Sequence, residues 1–162
     1  MPPRYAPDHA FPAYAFLPGR TPHPTRDPDG HSYGRTDEPA PYAPAQAWRA
    51  NGPYLAGVDL YNHGYPWEAH EAWEAIWNAA RDAGDDEQTA FLQGLIQCAA
   101  ACVKARLDEP ASVVRLADRA LERLASVSDH YMGVDVAAFV AAFAAFAADP
   151  TGAPPELLLQ LE

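Results

Sequence analysis

Basic residues are scarce in this chain of 162 residues. Eleven Lys and Arg stand against 22 Asp and Glu, which gives a formal net charge of −11 and a pI near 4.8. Nonspecific binding to nucleic acid or to an anionic membrane requires a basic surface. We therefore expect no nucleic acid and no membrane among the partners, whereas a small molecule stays open.

Long apolar runs are missing as well. The longest uncharged apolar segment, Val136–Ala148, is shorter than the roughly 20 residues that a membrane-spanning helix needs. The first residues contain no apolar core of a signal peptide. Because 49% of the residues are apolar, the chain can still bury a sizeable core. We expect a soluble, cytoplasmic protein.

Cysteine is limited to Cys98 and Cys102. The two residues lie four apart in an apolar helical pattern among Ala and Val, which favours two reduced core residues. A redox pair or a pair of soft metal ligands is the alternative, and no further cysteine is available to complete such a site.

Proline is distributed unevenly, because residues 1–44 hold eleven of the 17 prolines. This density excludes long helices and central strands. The segment nevertheless carries more large apolar side chains than a plain linker. We predict an irregular N-terminal arm, residues 1–44, that wraps the domain and inserts apolar side chains into its grooves. The side chains in question are Tyr5, Phe11, Tyr14, Phe16, Leu17, Tyr33 and Tyr42.

The remainder, residues 45–162, is predicted to form a single helical domain. Proline at first helical positions, Asp at caps and Gly at C-terminal ends mark the boundaries. Short connections favour antiparallel neighbours, and no strand pattern is present. The fold class is all-α, a bundle or short array of five to six helices. The predicted helical segments are 45–50, 53–63, 66–82, 87–107, 110–127, 136–148 and a short one at 155–161.

The second long helix concentrates aromatic and charged residues. On a helical wheel of about 100° per residue, Trp73 and Trp77 lie in the apolar sector. His70, Glu71 and Glu74 follow directly beside it, together with Trp67, and Glu68 lies on the opposite side. Because His70 and Glu74 are four apart, and Glu71 and Glu74 three apart, their side chains can meet.

Three interpretations of His70, Glu71 and Glu74 remain open. The first is a solvated helix edge. The second is a divalent metal site with His70 and Glu74 as ligands, which needs further ligands from another segment. The third is a metal-free acid/base or ligand pocket, in which His70 and a glutamate of raised pKa share protons; the candidate catalytic residues are His70, Glu71 and Glu74.

The third helix carries a polar stripe that suits the same site. Gln93 and Gln97 lie four apart, opposite the apolar face of that helix. They either belong to a solvated surface or hydrogen-bond Glu71 or Glu74 and orient them. In the second case Gly94 allows the second and third helices to approach closely.

The arm contributes two further candidate ligands, His23 and His31, in a loop rich in Pro, Asp and Gly. A shaped loop could bring either imidazole over the His70 region and complete a metal site of His70, Glu74, His23 and His31. Alternatively, the loop satisfies its own backbone through Asp and Ser side chains.

The fifth helix is rich in alanine around Phe139, Phe143 and Phe146. The three phenylalanines are expected either in the core or at an oligomer seam. Since alanine permits close helix packing, a homodimer through this helix stays open.

Several of these residues together resemble domain-of-unknown-function family 309. The pattern comprises Leu60-Tyr-Asn-x-Gly64, Trp67-Glu-Ala-His-Glu71, Trp73-Glu74, Trp77 and Phe91-Leu-Gln-Gly-Leu-Ile-Gln97. The similarity covers about residues 54 to 126. It implies a compact all-helical domain of bacteria and archaea, and it implies no activity. The motif positions are Asn62, Gly64, Trp67, Glu68, His70, Glu71, Glu74, Trp77, Gln93 and Gln97.

Two hypotheses of function follow. In the first, the helix carries a small-ligand or metal site, which could serve a metal-assisted hydrolase, with Trp67, Glu68, Trp73, Trp77, Asn62, Gln93 and Gln97 lining or orienting it. In the second, the Trp/His/Glu cluster is a brace within a protein-interaction or structural module. An enclosed pocket around His70 would favour the first hypothesis, whereas a buried and fully paired His70 would favour the second.

Overall fold

The computed structural model describes all 162 residues. A 3₁₀ helix, Ala45–Ala50, precedes five α-helices, and each α-helix packs against the next along the chain. The connections that follow the first, second and third α-helices are short, so the helices that they join run antiparallel. The all-α prediction is confirmed. The helices are α1 (Gly52–Asn62), α2 (Pro66–Asp82), α3 (Asp86–Arg106), α4 (Pro110–Leu124) and α5 (Val136–Ala148).

Capping side chains and a terminal glycine, which the sequence predicted, set the helix boundaries. The side chains of Asn51, Asp85 and Asp135 each accept a hydrogen bond from a backbone N–H in the first turn of α1, α3 and α5. Gly64 follows the C-terminal end of α1 with φ of 91°, a left-handed conformation that favours glycine. The start of α2 at Pro66 is as predicted, and α1 and α3 each begin one residue before their predicted starts.

Two predictions about the C-terminal third are wrong. A short hairpin pairs β1 (His130–Tyr131) with β2 (Val134–Asp135), where no strand was expected. Its turn is made by Met132 and Gly133, with φ of 46° and 81°.

The predicted helix at 155–161 is the second error, because residues 153–162 form an extended tail. Leu157 and Leu159 are buried while Leu158 is exposed, which is the alternation of an extended chain. Two side-chain amide contacts from Asn62 and a bond from Gln160 N–H to the Gly133 carbonyl (2.7 Å) satisfy the tail's backbone. Tertiary pairing therefore replaces the helical bonds.

Trp73 lies at the centre of the core, between α1 and α2. Its side chain is fully buried, and its indole N–H donates to the Tyr54 carbonyl at 3.3 Å. Gly57 makes this contact possible, because a Cβ at position 57 would overlap the indole ring. Gly94 faces Leu124 of α4, 2.7 Å from the position of an added Cβ, so it serves the α3–α4 contact rather than the predicted approach of α2 and α3.

The arm, residues 1–44, contains no helix or strand and is tied to α1 through Asp59. This carboxylate is 1% exposed and accepts bonds from Arg4 Nε (3.0 Å) and from the backbone N–H groups of Tyr5 and Ala6 (2.8 Å each). Phe16 is buried, as expected for an inserted aromatic, whereas Tyr33 and Tyr42 are exposed, contrary to the prediction.

The fifth helix buries Phe139, Phe143 and Phe146 within the chain, which confirms the core interpretation. Cys98 and Cys102 are free and buried, and burial raises the pKa of the Cys102 thiol to about 12. None of the helices combines the length and the apolar character needed to cross a membrane.

Candidate functional site

Helix α2 separates its polar residues onto two flanks of a buried stripe. The stripe consists of Ala69, Trp73, Ile76 and Ala80. One flank, called here the arm flank, carries Trp67 and Glu68, and the other, called the open flank, carries His70 and Glu74. The wheel placed Glu68 opposite His70, which agrees with this separation. It also placed Trp67 beside His70, whereas Trp67 packs against Phe16 and His23 of the arm.

The open flank holds a compact set of metal-ligand atoms. One donor atom each from His70, Glu71 and Glu74 lies within 4.8 Å of the others. His70 Nδ1 is 3.3 Å from Glu71 Oε1, but the contact lacks hydrogen-bond geometry, and Nδ1 is a buried atom without a partner. The side chains of His70 and Glu71 are 26% and 34% exposed, so water can reach the group. We call these three residues the His70 group.

The charges around His70 favour its protonated form. Burial alone would lower the His70 pKa, because it penalises the charged ring. The contact with Glu71 and the negative charges of Glu74 and Glu71 act in the opposite direction and outweigh burial. The pKa of His70 is therefore raised above its ordinary value of 6.5.

The amides of α3 do not orient these carboxylates, which was one of the two interpretations of that polar stripe. Neither Gln93 nor Gln97 donates a hydrogen bond to Glu71 or Glu74, and the buried Oε1 of Gln97 has no partner. Trp77 resembles Gln97 in this respect, because its buried indole N–H is also unpartnered while Arg81 lies over its ring at 4.8 Å. Gln97 Oε1 of α3 and the Trp77 indole nitrogen of α2 are thus both buried without a partner.

Glu68, on the arm flank, is fully engaged at one oxygen. This side chain is 6% exposed, and its Oε2 accepts bonds from Phe16 N–H (2.9 Å) and from His31 Nε2 (2.8 Å). His31 Nδ1 in turn lies 2.8 Å from Ser32 Oγ. The other carboxylate oxygen of Glu68, Oε1, is buried without a partner.

The two arm histidines predicted as metal ligands, His23 and His31, lie apart from the His70 group. His31 contacts Glu68 in place of His70. His23 accepts at Nδ1 from the backbone N–H groups of Thr25 and Arg26, and its ring packs edge-on against Trp67. Both rings are held by other partners. The cluster of metal-ligand atoms around His70 therefore includes neither His23 nor His31. The loop instead satisfies its own backbone, which was the alternative interpretation.

The remaining motif residues have structural contacts. Trp67 packs edge-to-face on Phe16 with ring centroids 4.8 Å apart, and Trp73 belongs to the core. Asn62 donates to the Leu157 carbonyl at 2.8 Å and accepts from Leu157 N–H at 2.7 Å, so it anchors the C-terminal tail. About half of the motif thus braces the fold.

A cavity of about 790 Å³ lies between the arm and α2. Glu71 is the one member of the His70 group that lines it, and none of the five principal cavities is lined by His70 or Glu74. His31, Ser32 and Glu68 all lie in its wall.

Sequence reasoning missed Ser32 and Asp59, although a lone Asp between Val58 and Leu60 in an apolar helix was a signal of a buried anchor.

Fold and motif together define an all-helical domain whose second helix carries two separate polar groups. The family model described as Domain of unknown function (DUF309) matches residues 54–116. The resemblance drawn from the motif is thereby confirmed. The comparisons with curated proteins and with solved structures found no match. His31, Ser32 and Phe16 lie outside the matched stretch, in the arm.

Proposed function

We propose that this protein binds a divalent transition-metal cation through His70, Glu71 and Glu74. The observation that carries the proposal is the 3.3 Å separation of His70 Nδ1 and Glu71 Oε1 without hydrogen-bond geometry. Two ligands held at about 2.1 Å from one ion are separated by roughly 3.0–3.4 Å at tetrahedral to octahedral angles. The pair is therefore spaced as ligands of one ion.

The chemistry of the donors supports a specific class of ion. One imidazole and two carboxylates suit Zn²⁺ or Mn²⁺ better than soft ions such as Cu⁺, which prefer sulfur. Two carboxylates also balance the charge of a divalent cation. Because three side chains leave coordination positions open, water or a small ligand would complete the shell.

Cation binding has more support than hydrolysis. A bound metal could lower the pKa of a coordinated water and supply a nucleophile, which is the basis of the metal-assisted hydrolase hypothesis. A hydrolase also needs a place for its substrate, and no principal cavity is lined by His70 or Glu74. Glu71 alone borders the cavity beneath the arm.

The brace hypothesis describes the other half of the motif. Trp67 and Glu68 hold the arm, and Trp73 fills the core, so these residues have contacts that need no ligand. A brace does not account for the buried and unpartnered Nδ1 of His70.

The test is metal titration of tag-free, chelator-treated protein by calorimetry, with elemental analysis after dialysis. Wild type is expected to bind about one Zn²⁺ or Mn²⁺ per chain, and His70→Ala to lose that binding. His130→Ala is the matched control, because His130 is an exposed imidazole on β1. Equal binding by wild type and His70→Ala, or no binding by wild type, contradicts the proposal.

A further inference from the structure

Ser32, His31 and Glu68 form a continuous chain of hydrogen bonds beneath the arm. Ser32 Oγ lies 2.8 Å from His31 Nδ1, and His31 Nε2 lies 2.8 Å from Glu68 Oε2. We propose that this chain makes Ser32 the nucleophile of an acyl-transfer site that cleaves small carboxylic esters. The order of hydroxyl, imidazole and carboxylate is the arrangement that activates a serine for such chemistry.

The hydrogen-bond network assigns the tautomer of His31. Glu68 Oε2 already accepts from the Phe16 N–H at 2.9 Å, so it is an acceptor toward His31 as well. His31 Nε2 therefore carries the proton, and in the neutral ring Nδ1 is the acceptor for the Ser32 hydroxyl. This is the protonation state in which imidazole can serve as a general base.

The imidazole is held in place from several sides. The side chains of His31 and Glu68 are each 6% exposed. Tyr14 accepts from the His31 backbone N–H at 3.1 Å and stacks at a tilt on the ring, with centroids 4.8 Å apart. The Ser32 N–H donates to the Pro24 carbonyl at 2.9 Å. Base and nucleophile thus have a fixed relative position, which is a condition for efficient proton transfer.

The cavity beneath the arm supplies a place for the substrate. Its volume of about 790 Å³ suits a small molecule, and all three residues of the chain line it. Phe11, Leu60 and Trp67 form apolar parts of its wall. We therefore assign as substrate class an ester with a short apolar acyl group.

The proposed reaction proceeds in two balanced halves. Ser32 Oγ forms a bond to the ester carbonyl carbon while its proton passes to His31 Nδ1. The bond from that carbon to the alcohol oxygen then breaks, and the leaving alkoxide takes the proton from His31. A water molecule repeats the sequence on the acyl-serine, which releases the carboxylic acid and restores Ser32.

The attack on the ester carbonyl generates an oxyanion, which a side chain would have to stabilise. The backbone N–H groups of His31 and Ser32 already donate to protein acceptors. Arg35 is the one Arg or Lys that lines the cavity, and its guanidinium forms no ion pair or hydrogen bond in the structure. Because a flexible guanidinium is less preorganised than backbone donors, we expect turnover to be slow.

The experiment treats the full chain with a fluorophosphonate probe, in which Ser Oγ displaces fluoride from phosphorus, and locates the label by peptide mass spectrometry. Release of p-nitrophenol from its acetate and butyrate esters is followed in parallel. Wild type is expected to be labelled at Ser32, and Ser32→Ala to lose label and ester cleavage by about 100-fold or more. Ser126→Ala is the matched control, since the Ser126 hydroxyl is exposed and bonds the Arg123 carbonyl outside this cavity.

A second variant separates catalysis from support of the arm. His31→Ala is expected to reduce labelling as strongly as Ser32→Ala, and added imidazole to restore part of it by replacing the missing base. Labelling in the presence of EDTA is expected to persist, which distinguishes this site from metal-dependent chemistry. Absence of label at Ser32 in wild type, or unchanged labelling in Ser32→Ala, would overturn the proposal.

Discussion

The arm flank and the open flank of α2 carry similar residues in opposite circumstances. Glu68 and His70 are two positions apart in one motif, yet Glu68 is buried and bonded to Phe16 and His31 of the arm, whereas His70 is partly exposed with an unpartnered Nδ1. The helical repeat is the cause, because residues two apart point about 200° away from each other. A motif that is compact in sequence thus places its polar residues in two separate groups.

The difference also separates the residues of the motif that have structural contacts from those that we propose bind a cation. A buried carboxylate is tolerated because its bonds replace those to water, and removal of the carboxylate leaves the buried donors unsatisfied. The carboxylates of the His70 group are partly exposed, so truncating one of them is expected to cost little stability. Truncating a side chain on the arm flank should therefore lower the free energy of unfolding more than truncating one on the open flank. Cation binding should depend on the open flank more than on the arm flank.

The largest expected effect is on the arm flank. Glu68→Ala leaves the Phe16 N–H and the His31 Nε2 proton without an acceptor, and we expect the free energy of unfolding to fall by about 3 kcal/mol. Urea denaturation measures this change, and limited proteolysis should show earlier cleavage within residues 1–44. Glu74→Ala on the open flank is the control, with an expected change within about 0.5 kcal/mol. Equal losses in the two variants would contradict the distinction between the flanks.

The buried stripe between the flanks gives the next effect. Gly57→Ala places a Cβ against the Trp73 indole, so α1 and α2 must separate, and we expect a loss of about 2 kcal/mol in the free energy of unfolding. Gly52→Ala is the matched control, because a Cβ there meets open space. Thermal unfolding of both variants tests the prediction, and a Gly57→Ala protein as stable as Gly52→Ala would show that the indole has room to move.

The extent to which sequence predicts this molecule differs between its parts for physical reasons. Helix boundaries were accessible because Pro66, Asp85 and Gly64 act within one turn of their own position. The C-terminal tail was not, because three leucines in succession fit a helix as well as an extended chain until Asn62, 95 residues from Leu157, pairs with its backbone.

The candidate site divides in the same way. The meeting of His70, Glu71 and Glu74 follows from helical spacing and was predicted within one element. The contact between His31 and Glu68 spans 37 residues and depends on the path of an arm without regular structure. Spacing along the chain carries no information about such a path, so His31 was assigned to the correct helix but to the wrong flank.

Metal binding should stabilise the protein through the open flank. With free Zn²⁺ at ten times the dissociation constant, the native state should gain about 1.4 kcal/mol, provided that the unfolded chain does not bind. The gain is expected in wild type and in Glu68→Ala, since the His70 group is intact in both, and is expected to vanish in His70→Ala. Differential scanning calorimetry with and without metal provides the measurement. A gain that follows Glu68 and not His70 would place the ion on the arm flank.

The smallest expected effect is the pH dependence contributed by His70. Its pKa in the folded protein is raised above 6.5, because the contact with Glu71 and the charges of Glu74 and Glu71 outweigh burial. A group whose pKa is raised on folding binds its proton more tightly in the native state, so its contribution to stability is fully present below pH 6.5. That contribution is lost as the pH rises through the folded pKa. Stability of wild type relative to His70→Gln should therefore decline from the acidic side of pH 6.5 to the alkaline side of the folded pKa, and NMR titration of the imidazole should place that pKa above 6.5.

Glu71→Gln should move the measured pKa of His70 downward, because the variant removes the nearest negative charge while the burial that opposes protonation remains. A titration unchanged by Glu71→Gln would mean that the carboxylate does not act on this ring in solution, and the His70 group would then lose the contact on which its assignment as a cation site depends.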